Sequence, residues 1–218
     1  GDSSDPHQGE GANVFKGITA ISGDGSHAYF AAQGILTTEP NPEGAVAQAG
    51  KLNLYAYQRN AAHLIFVGEL DTGCTTVEGP SDCSVLAGTG MNYWNGATTA
   101  PIHGNGATLL FQSTAPLTAD DKDGHHLDIF RYEADSSPPL LECVSCLPGG
   151  TEDPGPFDVA SRANSNHVFN PGLEFAQHQR WVSEDGESVV FATAEALLPE
   201  DVDGMRSDYL WRDGHLTL

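Results

Sequence analysis

Apolar and polar positions follow one pattern three times along this chain, at intervals of about 80 residues. The stretches are Ile21-Ser22-Gly23-Asp24-Gly25-Ser26-His27-Ala28-Tyr29-Phe30, Ile102-His103-Gly104-Asn105-Gly106-Ala107-Thr108-Leu109-Leu110-Phe111 and Val182-Ser183-Glu184-Asp185-Gly186-Glu187-Ser188-Val189-Val190-Phe191. Each predicts a strand, a tight Asx-Gly turn and a second strand closing on Phe. Asx-Gly suits a hairpin whose two central residues both take positive φ, which Gly, Asn and Asp adopt at least cost. A unit of this size cannot bury its apolar face alone, so repetition implies stacking.

After each Phe comes a polar stretch and then an aromatic strand: Asn53-Leu54-Tyr55-Ala56-Tyr57, Asp128-Ile129-Phe130-Arg131-Tyr132 and Asp208-Tyr209-Leu210-Trp211-Arg212. In this alignment Tyr55, Phe130 and Trp211 are counterparts with core roles. A fourth apolar run follows in His63–Val67, Leu140–Val144 and His215–Leu218. Four short strands per unit predict an all-β, propeller-like fold with about three four-stranded antiparallel blades. The expected organisation is a polar acidic arm over 1–16, blade 1 over 17–70, a connection over 71–98, blade 2 over 99–146, a connection over 147–178 and blade 3 over 179–218. No stretch sustains helical periodicity, and Ala45–Ala49 has room for at most one turn.

The second and third units match beyond the hairpin, with Thr114–Gly124 aligning on Ala194–Gly204. Ser183–Phe191 matches a phrase SxDGxxVxF, Leu197–Trp211 is similar to its continuation LxxxDxxGxxDxYxW, and Cys143-Val144-Ser145-Cys146-Leu147-Pro148-Gly149-Gly150 follows CxSCxPxG. On these residues the chain resembles TolB-like and WD40-like propeller-repeat proteins of bacterial envelopes and secretions, especially the actinobacterial ones. The resemblance spans about two thirds of the chain and implies a fold, since propellers host binding, scaffolding and catalysis alike. The first unit departs from the phrase, with Thr37–Glu43 in place of the acidic loop. Closed propellers use four to eight blades, so three units suggest part of a larger propeller, or one completed by another chain.

Thirty acidic residues against nine Lys and Arg give a formal charge of −21. Phosphate backbones and anionic membrane surfaces are therefore disfavoured as partners, and no apolar segment suggests membrane insertion. The four cysteines form local pairs. Cys74 and Cys83 bracket a polar Gly/Pro loop, where a bridge would restrict the unfolded chain. Cys143 and Cys146 have CxxC spacing: a thioredoxin-like site would need a helix that Leu147-Pro148-Gly149-Gly150 cannot form, and zinc would want a further ligand pair. A short-range disulfide is expected, and paired cysteines favour an extracellular, periplasmic or cell-envelope location.

Two acidic loops are candidate Ca²⁺ sites: Asp121, Asp123 and Asp128, and Asp201, Asp203 and Asp208. Alternating carboxylates around a Gly turn can supply oxygen ligands, although the EF-hand spacing is absent and the same residues serve equally as turn caps. No other cofactor is implied. The sequence offers no catalytic residues: it has no Gly-x-Ser-x-Gly, His-Glu-x-x-His or phosphate loop, and its one adjacent His pair, His125-His126, would point to opposite faces of a strand. Tyr93, Trp94 and Trp181 lie outside the repeat positions and are candidate stacking residues for a sugar or peptide. The expected function is a non-catalytic extracellular or envelope module binding a protein, peptide or glycan through blade loops. Alternatives are a propeller enzyme acting on glycans through a funnel site, and a structural subunit that self-associates through blade edges.

Overall fold

The computed structural model describes residues 14–70, 102–113, 115–122, 128–146, 183–193, 196–205 and 207–218. They form three small antiparallel sheets. The first contains β1 (Val14–Ile21), β2 (His27–Ala32), β3 (Asn53–Gln58) and β4 (His63–Glu69), hydrogen-bonded in chain order. The second contains β5 (Ile102–His103), β6 (Thr108–Ser113), β7 (Asp128–Glu133) and β8 (Leu140–Cys143), again in chain order. In the third, β9 (Ser188–Thr193), β10 (Ser207–Arg212) and β11 (His215–Thr217) run side by side. The fold is all-β and propeller-like, as the repeat predicts. Strand β1 begins at Val14, inside the stretch expected to be an arm, and two irregularities in its pairing with β2 absorb the added length.

The closing Phe residues are equivalent in register. Phe30 pairs with Tyr55, Phe111 with Phe130 and Phe191 with Tyr209, and their ring centroids lie 5.7, 5.7 and 5.8 Å apart. Their burial is not equal: Phe111 and Phe191 are buried, whereas Phe30 is only half-buried. The reason is position in the stack. One face of the first sheet, bearing Tyr29, Ala31, Leu54, Ala56 and Val67, packs on Leu109, Phe111, Phe130 and Tyr132 of the second. The other face of the second, with Leu110, Ile129 and Val144, packs on Val189, Phe191, Tyr209 and Trp211 of the third. Phe30 instead points away from this stack into a smaller cluster with Tyr55, Phe66 and Ala47.

The register corrects one alignment. Asn53, Asp128 and Ser207 each lie two residues beyond the closing Phe of the neighbouring strand, through Ala32, Ser113 and Thr193. Asp208 is therefore one residue out of step with Asp128, and the counterpart of Tyr55 and Phe130 is Tyr209, not Trp211. A one-residue offset changes the face: Asp128 is buried and Asp208 exposed.

The hairpin turns also differ from expectation. Gly25, Gly106 and Gly186 all have positive φ, but only in the second unit does the preceding residue, Asn105, share it. In the first, Gly25 N–H donates to Ser22 O and Ser22 N–H to His27 O, and the third repeats this between Gly186, Ser183 and Ser188. Asp24 Oδ1 accepts from Ser22 Oγ and Ser26 N, and Asp185 Oδ1 from Ser183 Oγ and Glu187 N. These bonds accompany an aspartate without positive φ and leave the positive φ to Gly alone, in a wider loop than the two-residue turn.

Candidate functional site

The turns of the second and third units each dock on the preceding unit. A Cβ on Gly106 would stand 2.2 Å from Ser22 Cβ, and one on Gly186 2.6 Å from Thr108 Oγ1. Only glycine permits this approach. The carbonyls of these buried turn residues are bound by side chains of the sheet they dock on. Tyr29 donates its hydroxyl to Gly106 O and Ala107 O at 2.7 and 2.9 Å, while Arg131 Nε donates to Gly186 O at 2.7 Å. The Arg131 guanidinium also reaches Glu133 at 2.9 Å and Glu142 at 3.1 Å and lies 5.8 Å from the centroid of the Trp211 ring. Held by two carboxylates of its own sheet, Arg131 thus meets a carbonyl and an aromatic face across the second seam.

A polar series crosses the first seam. Ser26 Oγ lies 2.9 Å from His27 Nδ1, and His27 Nε2 3.0 Å from Asp135 Oδ1, which also accepts from Gln58 Nε2. With a carboxylate at Nε2, the neutral ring carries its proton there and Nδ1 accepts from Ser26. The order serine, histidine, aspartate resembles a hydrolytic relay, but Ser26 is buried and its Oγ is shared with Ser22 Oγ at 3.2 Å. A substrate carbonyl has no approach to it, and the series acts as an inter-sheet tie. Sequence reasoning missed Asp135 and Arg131 because their partners lie 108 and 55 residues away.

The acidic loops repeat their backbone turn: Asp121 N–H donates to Thr118 O and Asp201 N–H to Leu198 O. Both aspartates are buried. Asp201 Oδ2 accepts from the Tyr209 hydroxyl, whose oxygen in turn accepts from Leu197 N. Phe130 stands at the corresponding place in the second unit and brings no hydroxyl. Asp203 is exposed and accepts from Met205 N at 2.8 Å. Asp208 is exposed on the outer face of β10, away from Asp201's bond to Tyr209. Asp128 Oδ1 accepts from Ser145 Oγ at 2.6 Å, and Ser145 Oγ accepts from Ile129 N. Asp123 lies outside the described residues.

Cys143 and Cys146 form a disulfide across the end of β8, with Cα atoms 5.6 Å apart. Cys146 N–H also points to Cys143 Sγ at 3.1 Å. Cys74, Cys83, Tyr93, Trp94, Trp181 and the His125-His126 pair fall outside the described residues. Among the described residues no helix is long and apolar enough to cross a membrane. Burial raises the pKa values of Tyr29, Tyr132 and Tyr209, helped by nearby tyrosine and acidic groups for Tyr29, by Glu133 and Asp135 for Tyr132 and by the Asp201 bond for Tyr209. Serine and backbone donors lower those of Asp24 and Asp185.

No protein-family model matches the chain, and no curated protein does. Among solved structures it is similar to one described as "putative TolB" from Agrobacterium tumefaciens, at 14% identity and a TM-score of 0.29. The match covers 90% of this chain and 62% of that one, so the chain spans less than two thirds of that protein's length.

Proposed function

We infer that the protein is a non-catalytic binding module of the cell exterior or envelope, displaying loops from a rigid stack of blade-like sheets to a protein, peptide or glycan. The observation that carries this reading is the use made of the polar residues. His27, Asp24, Asp135, Arg131, Asp201 and Asp128 hold turns, loops and seams in place. A framework that spends its polar groups internally supports recognition through what it carries on its loops. The actinobacterial flavour of the CxSCxPxG phrase and the local cysteine pairs support an exported setting. The acidic surface favours a neutral or basic partner.

The test is to probe the full chain against arrays of polysaccharides and peptides while monitoring turnover of every bound species. Binding without turnover, weakened by Tyr93→Ala, Trp94→Ala or Trp181→Ala, is the expected result. Turnover of a bound glycan would replace the binder with an enzyme.

A further inference from the structure

The Cys143–Cys146 turn carries more than a crosslink. Asp128 Oδ, Cys143 Sγ and Cys146 Sγ lie within 4.8 Å of one another. The two cysteines sit on β8 and its turn, while Asp128 opens the adjacent strand β7. Neighbouring strands hold this arrangement: Phe130 is paired with Cys143, and Val144 N–H donates to Ile129 O at 2.8 Å. The carboxylate is buried and oriented by Ser145 Oγ, while both cysteines are only half-buried. A Cys-x-x-Cys turn with a backbone N–H directed at its first sulfur suits thiolates as well as a disulfide, because an anionic sulfur accepts hydrogen bonds better than a neutral one. Two thiolates and a carboxylate are three ligands of the type a tetrahedral zinc ion takes, with water completing the shell.

We propose that reduction of the Cys143–Cys146 disulfide converts this turn into a binding site for a thiophilic divalent ion such as Zn²⁺, held by the two thiolates and Asp128. The reductant is a dithiol: it gives two electrons and two protons to the disulfide and becomes a disulfide itself. Zn²⁺ then displaces both thiol protons as it binds. Oxidised protein has no thiolates and cannot form the site, so bridge and metal are mutually exclusive.

The experiment uses the full chain carrying Cys74→Ser and Cys83→Ser, reduced with a dithiol and desalted without oxygen. Titration with Co²⁺ should give thiolate-to-metal charge-transfer absorption saturating at one ion per chain, displaced by Zn²⁺ and absent from oxidised protein. Asp128→Asn should weaken binding about tenfold or more. X-ray absorption of the zinc-loaded parent provides a readout independent of that variant's folding: two sulfur neighbours at about 2.3 Å with oxygen filling the remaining positions is expected. Absence of the charge-transfer band in reduced protein, a shell without two sulfurs, or undiminished affinity in a folded Asp128→Asn chain would each overturn the site.

Discussion

Gly106 shows how much one residue can carry in this molecule. Its φ of 94° is costly for an L-residue, and a Cβ would overlap Ser22. Gly44 has a similar φ of 84° with nothing within 4 Å. Gly44→Ala should therefore cost only the backbone penalty, about 1–2 kcal/mol. Gly106→Ala adds overpacking of about 1–3 kcal/mol, and paired urea melts should show the difference. A difference near zero would mean that the first seam yields freely. The closing phenylalanines offer a second comparison: Phe111→Ala and Phe191→Ala should each cost about 3–5 kcal/mol, and half-buried Phe30→Ala clearly less. Equal losses at all three would contradict the position of Phe30 outside the main stack.

At the level of elements, the strands were legible and the joints were not. Alternating apolar positions and turn residues marked Asn53–Gln58, Asp128–Glu133 and their partners closely, because strand formation follows local pattern. Matching Asp128 to Asp208 by letter failed by one position, since only hydrogen-bond register decides which face a residue takes. The offset leaves Asp208 on the exposed face of its strand, whereas Asp128 is buried. Arg131 read as an ordinary strand residue, because neither Gly186 O nor Trp211 is near it in sequence. Arg131→Lys tests its role: a lysine cannot reproduce a fork that meets a carbonyl and two carboxylates together. It should lower stability by about 1–3 kcal/mol, as expected when a buried acceptor loses its donor. A denaturation midpoint unchanged by Arg131→Lys would reduce the seam to apolar packing.

For the whole molecule, ionisation sets the range of stability. Tyr29, Tyr132 and Tyr209 have folded pKa values above that of a free phenol. Their contribution is complete below about pH 10, where unfolded tyrosine begins to ionise, and is lost as pH rises further. Asp24 and Asp185 are lowered, so their contribution is present above about pH 4 and lost as pH falls. Melting temperature across pH should thus decline at both ends, and a flat alkaline limb would contradict the burial of the phenols. Chelation is a separate test: because Asp201 and Asp203 already serve as turn acceptors for protein donors, a calcium chelator should leave the melt of oxidised protein unchanged. A melting temperature raised by millimolar Ca²⁺ would show that the acidic loops take up the ion. The seams themselves have one further consequence. Tyr29 and Arg131 grip main-chain carbonyls, atoms that every residue possesses. The grip itself does not depend on which side chain the gripped residue bears, so sequence can change there as long as the glycine and the bonds that shape the turn are kept.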